Sequence, residues 1–179
     1  MMPSPLRAPT ETAVGPPERS ELLSLRAAGD LTFGIPLQQA RQVLEIPKEM
    51  ILPVPDMPDA VLGVCRFQEK LLWLVDLATL VGSEAKANWD LVTHVTVVTL
   101  EMLFAGQTQW LGLAIEKLED ILEVNTNELS PVSNHSISAS LQPYVRSRWQ
   151  SPSSKGSLWI LDGLSILRVL KAPGSPLLP

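Results

Sequence analysis

Residues 33–54 read FGIPLQQARQVLEIPKEMILPV, and residues 111–132 read LGLAIEKLEDILEVNTNELSPV. Aligned without a gap, the two stretches are identical at five positions, where about one or two identities would arise by chance. The identical pairs are Gly34/Gly112, Leu44/Leu122, Glu45/Glu123, Pro53/Pro131 and Val54/Val132. Further along, Trp73-Leu-Val-Asp76 recurs as Trp159-Ile-Leu-Asp162. The chain therefore contains an internal repeat, with the same segments in the same order.

The apolar positions of the two copies have the spacing i, i+3, i+6, i+7, which places them on one face of a helix of about two turns. These positions are Leu37, Ala40, Val43 and Leu44 in the first copy and Ile115, Leu118, Ile121 and Leu122 in the second. The pattern predicts a short helix in each copy. The charged residues that accompany the second copy (Glu116, Lys117, Glu119, Asp120 and Glu123) are then interpreted as a solvated helix face.

Strand signals surround the predicted helices. The apolar runs Leu71–Val75 and Leu158–Leu161 are typical of buried strands, and residues 92–102 are rich in β-branched residues. Gly29-Asp30 and Ala105-Gly106-Gln107 indicate hairpin turns. Two copies of strand, short helix and strand predict a mainly β protein of two small closed barrels related by a pseudo-twofold axis.

The predicted domain covers residues 21–172, with repeat units at about 31–82 and 108–167 that form separate barrels joined near residues 84–92. Residues 1–20 are rich in Pro and polar residues and are predicted to be a disordered N-terminal tail. Residues 173–179 are predicted to be a C-terminal tail, after a terminal helix at Ser165–Leu170. Unstructured loops are expected at Ser133–Ser140 and Ser151–Gly156.

Composition excludes several classes of protein. The formal charge is −5, with 14 basic and 19 acidic residues, and this balance disfavours nucleic acid as a partner. The apolar runs are far shorter than the roughly 20 residues of a membrane-spanning helix, and the N-terminus has no signal-peptide pattern. We therefore expect a cytoplasmic protein that is not inserted in a membrane.

The reactive side chains do not form a catalytic or metal-binding set, so no enzyme activity and no cofactor are expected. His94 and His135 are isolated, and the single cysteine, Cys65, is interpreted as a small buried hydrophobe. Asp76 and Asp162 are equivalent in the repeat but lack the Asp-Thr/Ser-Gly turns of an aspartic protease. Each is instead predicted to cap the helix that follows it.

Several motifs, in order, resemble the CheW-like domain family of bacterial chemosensory proteins. The matching segments are Phe33-Gly-Ile-Pro36, Gln42-Val-Leu-Glu-Ile46, Pro53–Val64 (PVPDMPDAVLGV), Leu74-Val-Asp-Leu77, Leu111-Gly-Leu113, Ile121-Leu-Glu-Val124 and Trp159-Ile-Leu-Asp162. The resemblance covers about residues 21–170. It implies two five-stranded SH3-like β-barrel subdomains. It also implies a non-catalytic adaptor that couples methyl-accepting chemoreceptors to the regulatory domain of a CheA-type histidine kinase, in chemotaxis, phototaxis or pilus motility.

The resemblance also implies two groups of partner-binding residues. The first is Gln42, Val43 and Leu44, and the second is Arg66, Phe67, Gln68 and Glu69. The second group occupies a loop that in the family reads Asn-Leu-Arg-Gly. Here Gln68 replaces the family's Arg and Glu69 its Gly, while Arg66 stands where Asn is usual. This departure removes a bidentate Arg–carboxylate contact and points to a divergent partner.

Two other functions fit parts of the sequence. A small β-barrel that binds a ligand or single-stranded nucleic acid would need a groove with aromatic and, for nucleic acid, basic residues. Trp73 and Trp159 are equivalent in the repeat and are better explained by core packing. A kinase regulatory module expressed alone would share the fold.

Overall fold

The computed structural model describes residues 18–85, 87–133, 137–151 and 156–170. Within these ranges the chain is mainly β, with two short α-helices, α1 (Leu77–Leu80) and α2 (Gly163–Leu170). The strands are β1 (Arg19–Ala28), β2 (Leu31–Pro36), β3 (Ala40–Pro47), β4 (Val61–Phe67), β5 (Lys70–Asp76), β6 (His94–Phe104), β7 (Gln107–Ile115), β8 (Lys117–Asn125), β9 (Leu129–Pro131), β10 (Val145–Gln150) and β11 (Ser157–Leu161). Short 3-10 turns lie at Lys48–Met50, Trp89–Leu91, Thr126–Glu128 and Gln142–Tyr144.

The strands form two sheets, as the predicted fold class requires. Sheet A has the order β8-β1-β2-β11-β10-β9, and sheet B has the order β3-β6-β7-β5-β4. In sheet A, β9 follows β8 after one 3-10 turn and pairs with β10 at the far side, so the sheet curls back on itself. In sheet B the corresponding closure is a single bridge between Leu52 and Val64, which leaves this sheet a half-barrel.

The two repeat units are not separate barrels, and that prediction was wrong. The hairpin of β1 and β2, whose second strand begins the first unit, pairs with β8 and β11 of the second unit, in sheet A. The hairpin of β6 and β7, whose second strand begins the second unit, pairs with β3 and β5 of the first, in sheet B. The units therefore exchange their hairpins, and each sheet contains strands from both units.

The exchange obeys the pseudo-twofold relation. β7 runs parallel to β5 with Leu111 opposite Trp73, and β2 runs parallel to β11 with Phe33 opposite Trp159. Phe33 and Leu111 are equivalent in the repeat, as are the two tryptophans. The same contact thus occurs twice, and it joins the two units in both sheets.

The repeated helix predicted from the i, i+3, i+6, i+7 spacing is also wrong. The segments concerned are the edge strands β3 and β8. Leu37 and Ala40 belong to the tight turn before β3, where the amide of Ala40 donates to the carbonyl of Leu37 at 3.1 Å. A register shift between Ala40 and Gln42 then breaks the alternation of a regular strand. A turn followed by a bulge therefore imitates helical periodicity, and the charged run of β8 lies on a strand.

The two repeated glycines allow close approach between strands. A Cβ atom built on Gly112 would lie 2.5 Å from Leu74 Cδ2 and 2.8 Å from Val97 Cγ1. A Cβ atom on Gly34 would lie 2.8 Å from Leu158 Cδ2 and 2.9 Å from Ile160 Cδ1. At both positions an added Cβ atom would clash with side chains of the same sheet. There is therefore no room for a residue larger than glycine at either position of the repeat.

Within the described ranges, the buried apolar side chains form three clusters. The largest lies between the sheets, where α1 and α2 also pack, and includes Phe33, Leu100, Leu113 and Ile166. A second cluster fills the concave side of sheet B with Cys65, Leu72, Leu74, Val95 and Val97. A third fills sheet A with Leu22, Val124, Leu158 and Ile160. Each sheet therefore has an apolar cluster of its own, and the two sheets pack around a shared core.

The predicted role of the two aspartates as helix caps is confirmed. Asp76 accepts a hydrogen bond from the amide of Ala78 at 3.2 Å and another from the hydroxyl of Thr79. Asp162 accepts from the amide of Leu164 at 3.2 Å and from the hydroxyl of Ser165 at 2.8 Å. These contacts satisfy amides that have no partner within the first turn of a helix.

Predictions about the chain ends have mixed outcomes. The predicted tail at residues 1–20 is too long, because Arg19 and Ser20 already belong to β1; residues 1–17 lie outside the described part of the chain. The tail at 173–179, His135 and most of the loop at 151–156 also lie outside it. The terminal helix is confirmed and begins slightly earlier than predicted, at Gly163. Among the described residues, the helices are all too short to cross a bilayer.

Candidate functional site

The first group of predicted binding residues lies on the edge strand β3. Gln42 and Val43 are exposed, whereas Leu44 is half-buried and packs against the apolar cluster of sheet B. The amide of Gln42 donates to Thr99 Oγ1 at 3.0 Å, which fixes this end of the strand to β6. Leu44 is therefore a packing residue, and Val43, 43% exposed, is the apolar side chain that a partner would meet.

Val43 has a counterpart in the other sheet. Its repeat equivalent, Ile121 on β8, is 52% exposed. The surroundings differ, because β8 carries Glu119 and Glu123, which form ion pairs with Arg26 and Arg19 of β1. The repeat thus presents one exposed aliphatic side chain on each edge strand, with more acidic neighbours on β8.

The second group forms the hairpin between β4 and β5. Gln68 and Glu69 are the two turn residues, with φ angles of 45° and 62°. Positive φ at both central positions is typical of a type I′ turn, which favours Asn-Gly. The family's Arg-Gly at these positions supplies the glycine, whereas this chain holds Glu69 in a left-handed conformation that costs free energy.

We expect Glu69→Gly to raise the free energy of unfolding by roughly 1–2 kcal/mol, since glycine adopts positive φ without steric cost. Chemical denaturation of the two proteins measures this difference. Glu69→Ala is the matched control, because it removes the same charge and keeps the Cβ atom. Equal stability of the Gly and Ala variants would contradict the assignment of strain to this turn.

Phe67 packs at the end of sheet B on Trp110 of β7. The two ring centroids are 6.1 Å apart with an interplanar angle of 49°, and the ammonium of Lys70 lies 5.4 Å from the Trp110 centroid. Tilted aromatic pairs and cation–π contacts both stabilise such an arrangement. Phe67 is half-buried and belongs to the apolar cluster of sheet B, so it supports the hairpin from inside.

Arg66 is the exposed member of this group and lies on the convex face of the hairpin. It pairs across the strands with Leu71, which is 66% exposed. Leu52, 62% exposed, forms the bridge with Val64 two residues earlier on β4. Side chains two residues apart on a strand lie on the same face. Arg66, Leu71 and Leu52 therefore make one surface, called here the β4–β5 face.

Two residues of the β4–β5 face were missed in the sequence. Leu71 was interpreted as the start of a buried strand, yet only Leu72 and Leu74 point into sheet B while Leu71 points outward. The charged turn just before Leu71 was the available signal that this side chain points outward. In a strand that starts at a two-residue hairpin turn, the side chains alternate between the two faces of the sheet from the first residue onward. No sequence pattern indicated Leu52.

The structure does not gather the two predicted groups into one patch. β3 and β4 are at opposite ends of the order of sheet B. Leu44 and Phe67 both contact the interior cluster, but the exposed residues Gln42, Val43 and Arg66 belong to different edge strands. The candidate site is therefore two surfaces on one sheet.

Reactive groups are sparse across the ranges that the structure describes. No three His, Cys, Asp or Glu side chains there lie close enough to hold a metal ion. Cys65 is buried, and burial raises the pKa of its thiol, so the reactive thiolate is disfavoured.

Comparison with known proteins agrees with this geometry. The fold matches the crystal structure of the scaffolding protein TtCheW from Thermoanaerobacter tengcongensis, with a TM-score of 0.66 and 13% sequence identity over 81% of this chain and 90% of that one. Comparison with curated proteins gives no match. The family model described as CheW-like domain matches residues 21–171, which include nearly all of both sheets and both helices. The chain therefore belongs to the CheW-like domain family.

Proposed function

We propose that this protein is a non-catalytic adaptor that couples methyl-accepting chemoreceptors to the regulatory domain of a CheA-type histidine kinase in the cytoplasm. The observation that carries the proposal is the family match over residues 21–171, since proteins of this family are scaffolds of chemotaxis signalling. The net charge of −5 argues against nucleic acid as an alternative partner.

The β4–β5 face supports a role in docking. It combines an exposed arginine with two exposed leucines on a hairpin that is packed from inside by Phe67 and Trp110. Arginine is enriched among residues that contribute most to binding, and apolar side chains around it exclude water. A rigid strand presents these groups with little loss of conformational entropy on binding.

The altered hairpin changes where its arginine points. In the family the arginine stands at the first turn position, here Gln68, whereas this chain has Arg66 on the strand. The positive charge is thereby moved from the tip of the hairpin to the convex face beside Leu71. We infer a partner whose carboxylate lies over the strand, and hence a kinase or receptor that has changed together with this loop.

The test is capture of purified fragments by the full chain: a kinase regulatory domain and a receptor signalling tip from the same organism. We expect Arg66→Ala to weaken binding of one of them about tenfold, or about 1.4 kcal/mol. Arg146→Ala is the matched control, because Arg146 is an exposed arginine on β10, the strand of sheet A that corresponds to β4. Phe67→Ala is less informative, since it also removes packing on Trp110.

Binding of neither fragment by the unaltered chain would contradict the coupling function itself. Binding that is equally strong in Arg66→Ala, Arg146→Ala and the unaltered chain would leave the coupling function standing and remove the β4–β5 face from it. Melting temperatures of both variants show whether each one is folded before its affinity is compared.

A further inference from the structure

The ends of the two sheets that correspond in the repeat hold cavities of different size. In sheet B the cavity measures about 170 Å³, and its lining is mainly apolar, with Ile51, Pro53 and Leu62. In sheet A the cavity measures about 420 Å³ and is lined by Leu129 and Pro131, among others. These two are the repeat equivalents of Ile51 and Pro53. The two halves of the repeat are therefore not filled to the same extent at this end.

Arg146 replaces an apolar residue at this end of sheet A. In β4 and in β10 the register against the neighbouring strand shifts at one residue, which is Leu62 in β4 and Arg146 in β10. Two residues further on, Val64 and Arg148 lie opposite the repeated tryptophans, so Leu62 and Arg146 are equivalent in the repeat. A bulge changes the direction of a side chain. Here each bulged residue lines the cavity of its own sheet.

The charge of Arg146 is not balanced within the cavity. Arg146 is exposed, and the lining residues that the structure describes include no Asp or Glu. Arg146 also takes part in none of the ion pairs found in the described ranges. Leu22 and Ile160 line the same cavity and are buried. A guanidinium binds a carboxylate through two parallel hydrogen bonds, so this cavity suits an apolar group next to a carboxylate.

The cavity continues into a second one of about 330 Å³, with which it shares Ser20 and Gln38. The two adjoining cavities are called here the sheet A groove. Hydroxyl and amide side chains both donate and accept hydrogen bonds, as the backbone of an extended peptide requires. The second cavity is lined by one residue of each charge, Arg19 and Glu21. The unbalanced positive charge is therefore confined to the end of the groove at Arg146.

We propose that the sheet A groove binds an extended peptide segment of a partner protein. An aliphatic or proline side chain of the segment packs on Leu22 and Ile160, and an acidic side chain next to it binds Arg146. A peptide is favoured over a small carboxylate because the groove extends well beyond Arg146, over two cavities. The groove lies in sheet A and the β4–β5 face in sheet B, so the chain can hold this partner while it couples kinase and receptor.

The test is selection of binders to the full chain from a displayed library of random short peptides. We expect the selected peptides to share Asp or Glu next to an aliphatic or proline residue. Calorimetric titration with a selected peptide should show binding at least about tenfold weaker in Arg146→Glu. Arg168→Glu is the matched control, because Arg168 is an exposed arginine on α2, outside the groove, and it should bind like the unaltered chain. Selection against Arg146→Glu should yield peptides with Lys or Arg in place of the acid.

A second measurement locates the bound peptide. Methyl resonances of Leu22 and Ile160 should shift on titration, while those of Leu72 and Leu74 in sheet B should not. Melting temperatures of both Arg variants show that each is folded before its affinity is compared.

Selection of no peptide, or of peptides without a common acidic residue, would overturn the proposal. So would equal weakening by Arg146→Glu and Arg168→Glu, or shifts confined to sheet B. Hexanoate that binds as tightly as the peptide would identify a site for small carboxylates instead. A dimer in light scattering that dissociates in Arg146→Glu would identify a second copy as the occupant. Loss of kinase or receptor fragment capture in Arg146→Glu would also overturn the proposal, because the groove would then belong to the coupling interface.

Discussion

Gly63→Ala is expected to lower the free energy of unfolding by at least about 3 kcal/mol. Gly63 has a φ of 139°, in a region that side chains rarely adopt, and a Cβ atom there would lie 2.2 Å from the carbonyl oxygen of Leu52. The obstacle is backbone, so no side-chain rotation relieves it. The obstructing carbonyl is also part of the bridge, because the Leu52 and Val64 amides donate to each other's carbonyls at 2.8 and 2.9 Å.

Thermal unfolding measures this effect, with an expected fall in melting temperature of about 6–12 °C. Gly106→Ala is the matched control: its φ is 77°, and a Cβ atom there would meet nothing within 4 Å. It should cost only the left-handed conformation, about 1–2 kcal/mol. If the two variants lose the same stability, the close approach of Gly63 to the Leu52 carbonyl has no energetic role.

Gly112→Ala is expected to destabilise the protein by about 2–3 kcal/mol through overpacking. The added methyl would meet Leu74 Cδ2, Val97 Cγ1 and the carbonyl oxygen of Trp73. Because β5 and β7 belong to different repeat units, the clash lies where the units join. Chemical denaturation measures the loss, and Gly34→Ala at the equivalent site should show a loss of similar size.

A double-mutant cycle separates this clash from a general effect of alanine in a strand. With Leu74→Ala the obstructing methyl is absent, so Gly112→Ala should cost at least about 1 kcal/mol less in that background than in the unaltered chain. Independent, additive losses at positions 74 and 112 would show that the glycine is not needed for the approach of Leu74.

The repeat predicted the equivalence of segments correctly but not their partners. The five identities between residues 33–54 and 111–132 predict two equivalent segments, and the structure places both in equivalent strand pairings. Whether β2 pairs within its own unit or with β11 of the other unit depends on contacts between residues more than 120 positions apart in the chain. The spacing of apolar residues along the sequence carries no information about such contacts. The capping role of Asp76 and Asp162 was predictable because a cap acts over three residues.

The errors at the site have the same origin. The periodicity around Val43 suggested a helix because a turn and a bulge shift the alternation of an edge strand that is held by β6, far along the chain. Arg66 and Phe67 were both predicted to bind a partner, yet consecutive strand residues point to opposite faces of the sheet. Arg66 is exposed, whereas Phe67 packs on Trp110. Gly63 looked like an ordinary family residue, and its repeat position in β10 is Ser147, so only the structure shows why sheet B requires glycine there.

The hairpin exchange has a consequence for synthesis on the ribosome. β1 and β2 emerge first, but β8 and β11, their partners in sheet A, are translated about 90 to 130 residues later. The β1–β2 hairpin is therefore synthesised well before the strands that pair with it, and such long-range pairing makes folding slow. A nascent chain cut between the units would present unpaired strands, whereas two separately made halves, 1–86 and 87–179, carry complementary edges and should assemble into one folded body when they meet.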